Sequence, residues 1–403
     1  MHASGAQALG LYISIPFCRS KCTYCNFASG VYPASDHERY VNRVIEDLRA
    51  TGTWAEQMEV ELPQQVDTVY LGGGTPSLLA PELVNRLFAA IRQEFTLEPE
   101  AEITVECAPG QLPDQTLEAL VASGVNRVSL GVQSFIDREA HQSGRLHSRA
   151  VVLNDVMRLR QAGIANLNLD LIAGLAEQTL ASWEESLTVL IDADSPHVSV
   201  YMLEVDEDSR LGREVLARGE RYHAHLVPSD DAITRMYGIA IERLAEAGIE
   251  QYEISNFARP GFESRHNLRY WQRQPYLGLG LDASSALLAV SAAHNGYLLR
   301  TTTTDDLKLY LEGRDEPERS WLSPNQQQEE AWFLGLRLNR GVEVAALEGE
   351  FGVERVAPAL ATVERLVEAG LLAIDGQTVR LTAQGRLLSN DVFQEFLGLE
   401  SPE

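Results

Sequence analysis

Basic residues are scarce in this chain. Lys and Arg total 33 against 58 Asp and Glu, a formal charge of −25 over 403 residues. A surface of that sign repels a phosphate backbone, which excludes nucleic acid as a partner. Lysine is almost missing, with Lys21 and Lys308 its two occurrences, so nearly every positive charge is a guanidinium. Long apolar runs are missing too: none reaches the roughly 18 residues that span a bilayer. The stretch Met1–Gly10 has no basic segment followed by an apolar one, so secretion is not expected. Internal repeats and low-complexity tracts are absent, which excludes solenoids. Cysteine is rare, four in all. Reduced thiols without a leader fit a cytoplasmic compartment.

Three of those four cysteines, Cys18, Cys22 and Cys25, fall in Tyr12-Ile-Ser-Ile-Pro-Phe-Cys-Arg-Ser-Lys-Cys-Thr-Tyr-Cys-Asn-Phe27. Three thiols this close cannot all pair as disulfides. As thiolates they suit zinc or an iron–sulfur cluster, and purely structural sites of either kind take four protein ligands. Phe27 stands where one more cysteine could follow, so the set stops at three. Three protein ligands on a four-iron cube leave one iron open to an exogenous ligand. Zinc, with His37 as a distant fourth ligand, is the competing reading. Zinc sites, however, join such cysteines to a second pair downstream, and none exists. Cys107, after an expected strand, reads as a small buried residue. Lys21 inside the loop either offsets thiolate charge or is solvated.

Along the chain, short β-branched runs alternate with helical patterns. Strands are expected at Leu9–Ile15, Val66–Leu71, Ala101–Glu106, Arg127–Gly131, Ala165–Leu171 and His197–Met202. Helices are expected at Ser35–Ala50, Pro81–Phe95, Pro113–Ser123, Ser148–Ala162 and Thr179–Ile191. That alternation is the α/β class with a parallel sheet, and six units are too few for a closed eight-stranded barrel. A partial, open (β/α)6 barrel is therefore expected over residues 1–300, with the boundary in the polar run Thr301–Asp306. Residues 301–403 read as helices and one hairpin, Leu371–Ile374 with Thr378–Leu381, turning at Asp375-Gly376. This is a smaller, helical, winged-helix-like domain. Its acidic excess argues against DNA binding and for a cap or interaction role.

Ligands of open α/β sheets bind at the carboxyl ends of the strands. After the second strand comes Gly72-Gly-Gly-Thr-Pro-Ser77, whose glycines allow close backbone approach and expose N–H groups to an anion. Glu106 ends the third strand, Gln133 follows the fourth, Asp170 ends the fifth, and Arg145 precedes the next helix. Together they offer acceptors for an amine and for hydroxyls, and a guanidinium for a carboxylate.

With its flank Tyr12–Phe17, the cysteine motif resembles the signature of the radical S-adenosylmethionine (SAM) superfamily. More narrowly it resembles the coproporphyrinogen dehydrogenase and HemW branch, over about residues 9–400. The resemblance implies a radical-SAM barrel holding a [4Fe–4S] cluster on Cys18, Cys22 and Cys25, with SAM chelating the open iron. It implies SAM contacts at Tyr12, the backbone near Tyr24, Gly73, Gly74, Thr75, Glu106, Gln133, Arg145 and Asp170. Ala176-Glu177 replaces the usual Pro-Gly beyond Asp170, which alters a loop and leaves Asp170 in place.

Dehydrogenases of the branch usually carry a fourth cysteine just after the motif and an N-terminal extension. Phe27, and a start almost at the first strand, point instead to the HemW side, the heme chaperones. Arg265-His-Asn-Leu-Arg-Tyr-Trp271 resembles the HNxxYW motif implicated there in heme handling. A neutral imidazole is a proper heme ligand, Tyr270 and Trp271 offer flat surface, and Arg265 and Arg269 suit propionates. His266 is the candidate heme contact. Ser284 stands where many members have a histidine. The implied function is to carry heme as cargo to acceptor proteins, with peripheral contact to membrane proteins included but no membrane span. The alternative is oxidative decarboxylation of coproporphyrinogen III propionates.

Overall fold

The computed structural model describes residues 7–314 and 316–399; residues 1–6, part of the stretch read for a leader, lie outside the described residues. Among the described residues no helix is long and apolar enough to cross a membrane. Six parallel strands follow one another across the sheet: β1 (Leu9–Ile15), β2 (Gln65–Gly73), β3 (Thr96–Cys107), β4 (Arg127–Gln133), β5 (Asn166–Ala173) and β6 (His197–Met202). Between them run the helices Ala34–Met58, Pro81–Glu94, Asp114–Ala122, Arg149–Gln161 and Leu180–Asp192. This is the expected open (β/α)6 barrel. On the β1 side the sheet continues through Tyr276–Leu279, parallel to β1, and then antiparallel through Ser284–Leu288, Leu298–Thr302 and Glu318–Leu322. On the β6 side it ends in Asn256–Ala258 and Glu250–Gln251.

Strand alternation sorts the side chains into two populations. In β1, Leu9, Leu11, Ile13 and Ile15 are fully buried and join the main core with the helices. The alternate positions, in register across the strands, put Tyr12, Tyr70, Glu106, Ser129, Asp170 and Tyr201 on the opposite, inner face. That inner face is polar. The first helix runs beyond the expected Ala50 to Met58. Gly52 lies just past the expected end, and Thr51 and Ala55 on either side of it are buried, so packing carries the helix through.

The expected boundary run Thr301–Asp306 begins inside the antiparallel edge of the sheet, which continues to Leu322. A second core, around Trp332, Val356, Val363 and Phe396, builds on the helix Pro324–Leu336. After that helix come Val342–Glu343, the helices Val344–Phe351 and Val353–Glu368, and the hairpin Leu372–Asp375 with Thr378–Leu381. The short strand pairs with the hairpin into a three-stranded sheet, as in a winged helix.

The helix Arg265–Trp271 packs on the amino-terminal ends of β1 and β2. Arg269, 1% exposed, pairs with Asp67 and donates to the carbonyls of Ala8 at 2.8 Å and Pro275 at 2.9 Å. Removing one partner of a buried pair leaves an uncompensated charge. Asp67→Ala is expected to lower the unfolding free energy by about 3 kcal/mol in urea titrations; a loss under about 1 kcal/mol would contradict this role.

Candidate functional site

The cysteine loop leaves the end of β1 and returns against it. Cys18 N donates to Gly30 O at 2.8 Å, and Gly30 N to Pro16 O at 2.9 Å. Lys21 lines the same cavity as the three thiols, and its ammonium donates to the carbonyls of Phe27 at 2.5 Å and Ser29 at 3.0 Å, bracing the loop. Thr23 N and Ser20 Oγ fasten the loop to Ser143 and Gly144, just before Arg145. All three thiols are free and partly exposed. Burial pushes the Cys18 thiol up, opposed by hydrogen bonds with Thr75 and Ser29.

The glycine turn fits under this loop with no room to spare. A Cβ at Gly74 would lie 2.7 Å from Ile15 O and 2.9 Å from Phe17 O, and Gly73 has φ +94°. The N–H groups expected to face an anion are engaged within the protein. Gly74 N donates to Ile15 O, Thr75 N to Phe17 O, and Gly73 N to Glu106 Oε2 at 3.1 Å. The turn therefore works as a clamp on the cysteine loop and on Glu106.

One cavity of about 780 Å³ opens at the carboxyl ends of the strands. Its wall includes Cys18, Cys22, Cys25, Tyr24, the Gly73–Thr75 turn, Glu106, Gln133, Arg145 and Asp170. These ten-odd expected residues, scattered from β1 to β5, are brought together. Tyr12 lies one layer deeper, its ring stacked on Tyr70 at 6.1 Å. Glu106 accepts from the Tyr70 hydroxyl at 2.8 Å, and burial, reinforced by Asp170, holds its carboxyl up at about 7. Asp170, also raised by burial, accepts from Asn168 at 2.6 Å and Ser129 at 3.2 Å. Arg145 donates to the Tyr24 hydroxyl at 2.8 and 3.1 Å. Gln133 is held at φ +68°, a left-handed conformation in a non-glycine residue, and its buried Oε1 has no partner.

Tyr70, Ser129 and Asn168 were not singled out from sequence. The signal was there, since each lies two or four residues before a chosen or glycine position on the same strand face. Cys107 is buried as expected, its thiol pushed up to about 12 by desolvation. His37 stacks on Phe17 at 3.9 Å.

His266 is not brought to this cavity. It is 1% exposed, its Nδ1 is 2.9 Å from Thr68 Oγ1 and its Nε2 is 2.8 Å from the Tyr270 hydroxyl. Desolvation, then Arg269, push its pKa down to about 3. Both ring nitrogens are occupied, so in this conformation the neutral imidazole is a packing and hydrogen-bonding group. Arg265 and Arg269 are likewise engaged, with Asp67 and backbone carbonyls.

The residues present fit a site-differentiated cluster with SAM. A four-iron cube takes each thiolate on a different iron, and the three free thiols of one loop line the same cavity. Two partly buried carboxylates and an orphaned amide oxygen on the same wall are acceptors for a cationic, hydroxyl-rich ligand.

Residues 12–190 match the model of the radical SAM superfamily and residues 322–388 that of the HemN C-terminal domain. The heme chaperone HemW of Lactococcus lactis is 34% identical over 96% of this chain and 96% of its own length. That of Bacillus subtilis is 33% identical over 96% and 98%. The chain belongs to the HemW family. Its fold is also that of the radical SAM enzyme coproporphyrinogen III oxidase (HemN) from Escherichia coli. That match has a TM-score of 0.81 and 22% identity, over 97% of this chain and 90% of that one.

A carboxyl raised from 4.5 to about 7 disfavours folding once it must ionise. The cost begins above pH 4.5, grows through the interval, and is complete above pH 7. Glu106→Gln should therefore make the cluster-free protein more stable at pH 8 by up to about 3 kcal/mol, with no gain near pH 4. Urea unfolding at both pH values checks this; a wild type at least as stable at pH 8 contradicts it.

Proposed function

We propose that this chain is a heme chaperone that carries a [4Fe–4S] cluster and SAM. The reading rests on the full-length likeness to relatives named heme chaperones, 34% identical over 96% of both chains. Phe27 agrees with it: the side chain where the dehydrogenase pattern has its fourth cysteine is 63% exposed phenylalanine. The likeness to HemN, at 22% identity, concerns the fold and carries no substrate.

Cys18, Cys22 and Cys25 would hold the cluster, whose open iron supplies a chelation point for the amino and carboxylate groups of SAM. Around that point this chain's residues bind and orient. Glu106 and Asp170, both raised by burial, regain their charge beside a cationic ligand, which makes SAM affinity depend on the same desolvation that destabilises the empty site. The orphaned Gln133 Oε1 accepts a hydroxyl or amine proton. Arg145, fixed by Tyr24, offers its guanidinium to a carboxylate. Heme, as cargo, would occupy the remainder of the cavity on its way to acceptor proteins. His266 enters this account as a support for the barrel floor.

Two experiments test the reading. Anaerobically reconstituted protein should bind ferric heme and form no protoporphyrinogen IX from coproporphyrinogen III; sustained turnover in that assay overturns it. Cys22→Ala should lose the cluster absorbance, and a variant that retains four irons per chain removes this cysteine from the ligand set.

A further inference from the structure

The helix Arg265–Trp271 reaches the cavity at one remove. The Arg337 guanidinium lies 4.2 Å from the centre of the Trp271 ring, and Arg337 is part of the cavity wall. It stands at the carboxyl end of the helix Pro324–Leu336, so it is a cation brought by the C-terminal domain. Its ion pair is weak. Glu253 Oε2 is 3.8 Å away and makes no hydrogen bond, while Glu253 Oε1 already accepts from Ser255 N at 3.0 Å and from Asn256. Arg337 Nε is buried without a partner. A planar guanidinium with one face on an indole and unfilled N–H donors is poised for a further anion.

The cavity wall carries exposed apolar side chains as well as polar ones, the latter including Asn390 and Asp391 of the C-terminal domain. Tyr201 is 43% exposed, Leu387 39% and Leu388 41%, all lining the cavity, with Ile254 buried behind. Two leucines of the C-terminal domain and a tyrosine at the end of β6 thus present aliphatic and aromatic surface in a space large enough for more than a small metabolite. A flat apolar ring with an anionic edge fits these apolar side chains with its face and Arg337 with its edge.

We propose that Arg337, held on the face of Trp271, binds a propionate of heme, with the macrocycle against Tyr201, Leu387 and Leu388. This rests on the heme chaperone reading and gives it a site. It also gives the HNxxYW-like segment a role in heme binding without ligation: Trp271 positions Arg337, and His266 and Tyr270 hold the helix that carries Trp271.

The test uses the full-length, cluster-loaded protein and two probes, ferric heme and ferric heme dimethyl ester, titrated by Soret absorbance. Arg337→Gln should weaken heme binding at least tenfold and leave the diester unchanged. Trp271→Leu should weaken heme severalfold in the same selective way. His266→Gln should keep heme affinity within twofold. Thermal melts and cluster absorbance identify variants that fail to fold, and for these the wild type's own preference for heme over the diester remains the readout. Equal heme affinity in wild type and Arg337→Gln overturns the inference and leaves the chaperone reading standing. An equal loss for both probes, or a wild type indifferent to esterification, also overturns it. A wild type that takes up no heme removes both.

Discussion

The contact on which the site depends is backbone against backbone. Gly74 N–H meets Ile15 O at 2.9 Å and Thr75 N–H meets Phe17 O at 2.8 Å, so the turn after β2 is fastened directly beneath the cysteine loop after β1. A side chain at Gly74 would collide with the same carbonyls. The pairing sets the height of Cys18 above the sheet, and Gly73 extends it sideways by donating to Glu106. Thiols and carboxylate are thus located by one clamp. Lys21 closes the loop from the other side through Phe27 and Ser29.

Below the clamp the inner face of the barrel is polar. Glu106 and Asp170 are pushed upward by burial, while hydrogen bonds from Tyr70, Asn168 and Ser129 pull against it. The empty site is therefore electrostatically uncomfortable, as preorganised binding sites are. Farther down, His266 stacks on Tyr70 at 5.2 Å and bonds Thr68, and the helix it belongs to seals the amino ends of β1 and β2. The same helix touches the C-terminal domain through Trp271 and Arg337. Floor, clamp and cap are one connected body around the cavity.

The six strands were legible in the sequence because each is a short apolar run with period-two alternation between helical patterns. That the three cysteines share one cavity with Glu106, Gln133, Arg145 and Asp170 was legible from the cysteine spacing and from the polar residues at strand ends. Two things were not. The run Thr301–Asp306 reads as a domain boundary, but Thr301 and Thr302 pair with Arg319 and Glu318 near the sheet edge, so it begins inside the sheet. His266 reads as a ligand from its neighbours in sequence, and its role is set by Thr68, nearly two hundred residues away. The engagement of the Gly73–Thr75 N–H groups was equally hidden, because it depends on how closely two loops approach. Local pattern shows which groups are available; only the fold shows which are already used.

The central claim is that one cavity holds cluster, SAM and heme together, with heme away from His266. A structure of the loaded protein with iron located by anomalous scattering tests it most directly. The account predicts one iron centre at Cys18, Cys22 and Cys25 and a second against Tyr201, with a propionate on Arg337. Heme iron bound to His266 Nε2, with Tyr270 displaced, would contradict it.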